Sequence, residues 1–245
     1  FSKLSLQGRT EPLRQTYLES LKKNLPPERQ AYIELLEEIP NRAGVRCSFS
    51  KRRQQLHSVL QAMTTEKPLN AGEIQVKIVG SSSRYLKPEV IDQILDQNGE
   101  LKSFYIGSSH AVARAEIEPG IGLHFKRKPT HSLMEFAIHN LFYRIAGYLT
   151  PANELVRFEV EVRGMKKMYP VLISQTIYGG TLKNINTSKL NLKGSQWARW
   201  TWMLLCSLLT RTGDGRGSNY IIDSQGYLFC VDNDISFVEP VVKEM

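Results

Sequence analysis

Between residues 10 and 66 apolar side chains recur at helical spacing. Leu13, Tyr17, Leu18 and Leu21 make one stripe, Tyr32, Leu35, Leu36 and Ile39 a second, and Leu56, Val59 and Leu60 a third. Pro26-Pro27 and Pro40-Asn41 separate them. Three amphipathic helices are therefore expected, forming a small bundle or covering the surface of a neighbouring domain. Lys51-Arg52-Arg53 reads as the solvated start of the third helix, with an anion-binding role as the alternative.

From Ile74 the period changes to two. Ile74, Val76 and Ile78 alternate as a strand, Ser81-Ser82-Ser83 makes a loop, and Pro88 to Gln97 is a short helix with Val90, Ile91, Ile94 and Leu95 apolar. A domain boundary is expected near residue 100. Beyond it Phe104–Ile106, Ala111–Ile117 and Ile121–Arg127 read as strands, the last two joined by the turn sequence Glu118-Pro119-Gly120. Ser132 to Tyr148 is expected to be a helix whose apolar face carries Leu133, Phe136, Ala137, Leu141 and Ile145, ending near Gly147. Phe158–Val162 and Tyr169–Ile177 return to strand around the loop Gly164-Met165-Lys166-Lys167. Tyr178-Gly179-Gly180 then breaks the order. A second helix, Ser195 to Arg211, contains Trp197, Trp200 and Trp202, and a final hairpin spans Tyr220 to Val231. A sheet carrying one helix, then a break, then a helical part with a polar loop, makes two walls of a cleft.

Composition narrows the class without identifying the chemistry. The 245 residues are 41% hydrophobic, enough for a core of ordinary size in one large or two small domains. A net charge of +8 favours anionic partners: nucleotides, nucleic acid or an acidic membrane surface. A nucleic-acid role rests on charge alone, because no stripe of interleaved basic and aromatic residues is present, and none is expected. Cys47, Cys206 and Cys230 lie far apart with no metal-type pairing, which implies a reducing compartment. The longest apolar run, Trp200 to Leu209, is about half of what a bilayer span requires. A cytoplasmic chain is expected, with a peripheral position on a membrane left open.

The candidate chemistry lies near the C-terminus. Asp214 is followed five positions later by Asn219, and Asp232-Asn-Asp234 closes the next hairpin. A carboxylate can accept a hydroxyl proton, and a neutral and a charged oxygen can together hold Mg²⁺, which are the needs of phosphoryl transfer. Lys126 ends a strand and Glu135 sits inside the next helix, so the ammonium could engage phosphates while the carboxylate holds it in place. Gly107-Ser108-Ser109-His110 offers backbone N–H and hydroxyl donors to phosphate, or is a simple hairpin turn. Asp234 is either a further metal ligand or a solvent-facing acid. Singly, each of these residues also suits an ordinary turn or a surface ion pair.

In this order, residues 101 to 237 resemble the protein kinase-like superfamily, and more closely its phosphatidylinositol 3- and 4-kinase branch. Gly213-Asp214-Gly-Arg216-Gly-Ser218-Asn219 is similar to that branch's Gly-Asp-Arg-His-x-x-Asn loop, and Gly226-Tyr-Leu-Phe-Cys-Val-Asp232-Asn-Asp234 to its Gly-x-Leu-x-x-Ile-Asp-Phe-Gly segment. The type II phosphatidylinositol 4-kinases, with Asp-Asn-Gly there, look nearer still. The resemblance implies an α+β, bilobal kinase-like fold: an antiparallel sheet plus one helix in an N-lobe (101–178) and a small helical C-lobe (181–245), after an N-terminal helical accessory region (1–100). It implies ATP and Mg²⁺ as cofactors. Asp214 and Arg216 would be catalytic, Lys126, Glu135, Gly107, Ser108 and Ser109 would bind ATP, and Asn219, Asp232 and Asp234 would bind metal.

The implied activity is transfer of the γ-phosphate to a protein or phosphoinositide hydroxyl. The alternative is a pseudokinase, a nucleotide-binding or protein-interaction module. Arg216 stands near the place of the lipid-kinase branch's catalytic His, so Asp214 would have to serve alone as the proton acceptor. Thirteen residues follow Asp232, against a longer continuation in the family, so a minimal lobe or a fragment is expected. The basic N-terminal region is the expected contact for an acidic membrane surface or a partner protein.

Overall fold

The computed structural model describes residues 43–68, 74–79, 83–103, 111–127, 132–147, 149–186, 190–211, 215–233 and 236. The first two expected helices and the strand at Phe104–Ile106 lie outside these residues. The fold is α+β, with four α-helices and ten strands among the described residues.

Helix α1 spans Ala43–Ala62, and Lys51-Arg52-Arg53 falls in its middle, not at its start. Short strands β1 (Thr64–Thr65), β2 (Gln75–Val79) and β3 (Arg84–Leu86) lead to α2 (Pro88–Ile94), which begins with Pro at its first position, where no N–H partner is needed. Strands β4 (Ala111–Glu118) and β5 (Ile121–Arg127) form a hairpin, followed by α3 (Ser132–Ala146). Strands β6 (Asn153–Val162) and β7 (Met165–Gln175) are longer than their apolar runs suggest. Their turn is the pair Arg163-Gly164, both at positive φ, and such a two-residue turn lets pairing run to Val162 opposite Met165.

Seven strands form one antiparallel sheet in the order β1-β3-β2-β6-β7-β5-β4. Strand β2 pairs with β6 from Gln75 opposite Glu161 to Val79 opposite Arg157. Sheet and core thus run across the division expected near residue 100, because Val76, Ile78 and Leu86 share one apolar cluster with Phe125, Phe158 and Val171. Leu56 of α1 and Val90, Ile91 and Ile94 of α2 cover this face.

The later residues build a smaller unit. Strand β8 (Gly179–Thr181) pairs with β9 (Tyr220–Asp223), and β9 with β10 (Leu228–Cys230). Helix α4 (Gly194–Thr210) packs Met203 and Cys206 against Ile222 and Leu228, together with Ile138 and Phe142 of α3. The part expected to be helical therefore carries a three-stranded sheet as well. Helix α3 lies between the two units.

Candidate functional site

Strand β5 alternates, so Leu123 and Phe125 enter the large core while His124 and Lys126 point to the opposite face. Helix α3 presents Glu135, Ile138, His139, Phe142, Tyr143 and Ala146 inward, at spacings of three and four. This corrects the face read from the sequence: Leu133 is 69% exposed, and Ala137 and Ile145 are also exposed. Side-chain hydrophobicity alone misjudged the helix rotation because the buried stripe contains a carboxylate and an imidazole, whose partners lie elsewhere in the chain.

Lys126 is that partner. Its Nζ lies 3.0 Å from Glu135 Oε2 and 2.8 Å from Asp232 Oδ1. Glu135 is almost wholly buried, at 1% exposure, while Asp232 is open to one side at 28%. Two carboxylates thus share one ammonium in a partly dehydrated place, where charge interactions are stronger than in water.

Asp232 is placed by its neighbours in sequence. Cys230 donates its backbone N–H to Leu149 O at 2.9 Å, and Val231 donates to Asn219 O at 2.9 Å. These bonds pin the end of β10 on both sides and set Asn219 beside the start of the Asp232 segment. Asn219 ends a 3₁₀ turn, Gly217–Asn219, and is buried. The Cys230 thiol lies 3.3 Å from Asn233 Oδ1 and 3.4 Å from Asp232 O, and burial pushes it up to about 12. It stays protonated and inert.

His139, one helical turn beyond Glu135, was not singled out from the sequence. It is fully buried, its Nδ1 lies 2.7 Å from Asn153 Nδ2, and burial, assisted by the Lys126 charge, lowers it to about 3. A neutral ring therefore backs the ion pair. Its i+4 spacing from Glu135 was the available signal. On the Lys126 face of β5, burial and the Arg114 guanidinium lower His124 to about 4, and its Nδ1 lies 3.1 Å from Thr176 Oγ1.

Among the expected site residues, Lys126, Glu135 and Asp232 meet, and Asn219 adjoins them through the β9–β10 hairpin. Arg216 is exposed at the start of the 3₁₀ turn. Asp214, Asp234, Gly107, Ser108 and Ser109 lie outside the described residues. Among the described residues no three His, Cys, Asp or Glu side chains gather as a metal cluster. Mg²⁺ does not require one, since it keeps several waters and is satisfied by one or two protein oxygens plus phosphate. Asn219 and Asp232 meet that need in kind. A depression of about 320 Å³ lies over β2, β3, β6 and β7, lined by Lys77, Glu159 and Lys166 among others, and includes none of these residues.

No protein-family model matches the chain, and no curated protein is significantly similar to it.

Proposed function

We propose that the chain is an ATP- and Mg²⁺-dependent phosphotransferase of kinase-like bilobal architecture, acting on a protein or phosphoinositide hydroxyl. The contact of Lys126 with both Glu135 and Asp232 carries this reading, because it joins a strand, a helix and a distant hairpin around one ammonium. In support, a seven-stranded sheet flanked by α3 is followed, after Gly179-Gly180, by a second unit bearing Asn219 and Asp232, which in this reading would be the two walls of a nucleotide cleft.

In this reading Glu135 holds Lys126 extended so that its ammonium can reach phosphate oxygens. Asp232 and Asn219 would hold Mg²⁺, which when bound neutralises developing charge on the phosphates. Asp214 accepts or orients the acceptor hydroxyl proton. The protein's work is positioning and charge stabilisation without a covalent intermediate.

One observation favours a second reading, a pseudokinase. Asp232 directs an oxygen to Lys126, an arrangement that also serves as a plain structural lock. Incubation with labelled ATP against protein and phosphoinositide pools separates the two and reports the acceptor class. Transfer establishes the first reading. Nucleotide binding without transfer favours the second, and no binding at millimolar Mg-ATP removes the first.

A further inference from the structure

Helix α4 is apolar on two sides. Its inner side is buried at Ala198, Met203 and Cys206, the last two within the second core. Its outer side carries Trp197, Leu204, Leu205, Leu208 and Leu209, exposed by 58%, 61%, 50%, 66% and 59%. Their spacing, i, i+7, i+8, i+11 and i+12, puts them on one stripe roughly 18 Å long, at about 1.5 Å per residue. Several neighbouring side chains of this size exceed the scattered apolar exposure normal for a protein surface and mark a binding face.

Charge indicates the occupant. No Asp or Glu occurs between Glu161 and Asp214, whereas Lys183, Lys193, Arg199 and Arg211 all fall in that stretch. Lys193 caps the start of α4 and Arg211 its end, and both are exposed. Arg199 is directed elsewhere, donating from Nε to Leu228 O at 2.8 Å over the Phe229 ring. An apolar stripe with an indole near one end, a cation at both ends and no acid on the helix suits an interface of hydrocarbon beneath anionic headgroups. No helix among the described residues is long and apolar enough to cross a membrane, so the helix would lie in the surface.

We infer that the outer face of α4 is a docking surface for an anionic lipid bilayer. This places the membrane contact on the second unit, apart from the basic N-terminal region, and it does not depend on the phosphotransfer reading. A protein partner would more commonly meet this face with acidic or polar complementarity at its rim, and a second copy would bring cation against cation at both helix ends.

The test is co-sedimentation of the full chain with phosphatidylcholine vesicles, with and without roughly 30 mol% phosphatidylserine. The chain is expected to partition about tenfold or more better onto the anionic vesicles, with the advantage shrinking in high salt. L204E/L208E should reduce that partition about tenfold or more while leaving the melting temperature unchanged. Where that variant does not fold, L205S/L209S provides the same readout with milder change. Brominated lipid should quench fluorescence in the parent and less in W197F. Equal binding to neutral vesicles, no vesicle binding, or binding insensitive to these leucines overturns the inference. So does a dimer, seen by light scattering, that the leucine variants dissociate. The Mg-ATP melting shift, measured on the same variants, should not move, which keeps a failure here distinct from a failure of the proposed function.

Discussion

Lys126 and Asp232 stand 106 positions apart in sequence, yet their side chains meet at 2.8 Å. The contact spans the large sheet and the β9–β10 hairpin, and Glu135 completes it from α3 at 3.0 Å. Two carboxylates on one ammonium tie together the elements that would have to cooperate in phosphate binding.

Removing Lys126 leaves Glu135 charged and enclosed. Lys126→Met is expected to lower unfolding free energy by roughly 3 kcal/mol, because an uncompensated buried charge remains. K126M/E135L should recover much of that loss, since the buried carboxylate is removed with the ammonium and Asp232, the remaining partner, is open to water at 28%. Urea unfolding of the parent, Lys126→Met, Glu135→Leu and the double variant closes the double-mutant cycle that measures this. A Lys126→Met protein as stable as the parent would show that Glu135 is not confined as described.

Mg-ATP should raise the melting temperature of the parent chain, and Asp232→Ala should abolish the shift. Asp214→Asn should keep the shift and lower transfer about a hundredfold or more, since it removes a proton acceptor and not a metal ligand. Full turnover in the Asp214→Asn protein contradicts the assigned role.

Acid should destabilise the fold through its buried imidazoles. His139 and His124 are lowered to about 3 and about 4 in the folded chain, whereas an unfolded His titrates near 6.5. The unfolded state therefore binds more protons below pH 6.5. The stability these neutral rings confer is complete above that pH and is lost as pH falls toward 4. Each should contribute a slope of up to roughly 1.4 kcal/mol per pH unit in that window. Unfolding measured at pH 7 and pH 5 should show a smaller difference in His139→Gln than in the parent, and an unchanged difference places the ring in solvent.

Gly179 tests the passage between the two units. A Cβ there would collide with the backbone of Ile222 and Asp223 on the paired strand, and no flexible side chain can move aside. Gly179→Ala should cost roughly 2–3 kcal/mol. Gly194→Ala, in the first turn of α4 with nothing within 4 Å of the added atom, should be neutral or stabilising by about 0.5–1 kcal/mol. Equal melting temperatures for the two variants would mean β8 is not held against β9.

Much of the element order was legible locally. The strands holding Val76, Lys126 and Phe229, the α3 and α4 segments and the Glu118-Pro119-Gly120 turn follow from periodicity and turn chemistry, which act over a few residues. The inward face of α3 was not legible. Leu133 and Ile145 look like core residues until the register of Glu135 and His139 against β5 and Asn153 is known. The extent of the sheet was equally hidden, since whether β2 stands apart or joins β6 depends on pairing between segments 80 residues or so apart, a choice no local pattern encodes.

The order of residues along the chain set the periods, the turns and the kinds of chemical group available: an ammonium at a strand end, a carboxylate in the next helix, an amide and an acid around a hairpin. The tertiary structure alone decided which groups meet. Charge pairing is weak and unselective in water, and acquires direction only when packing dehydrates a site and fixes the distances, as around Lys126, Glu135 and Asp232.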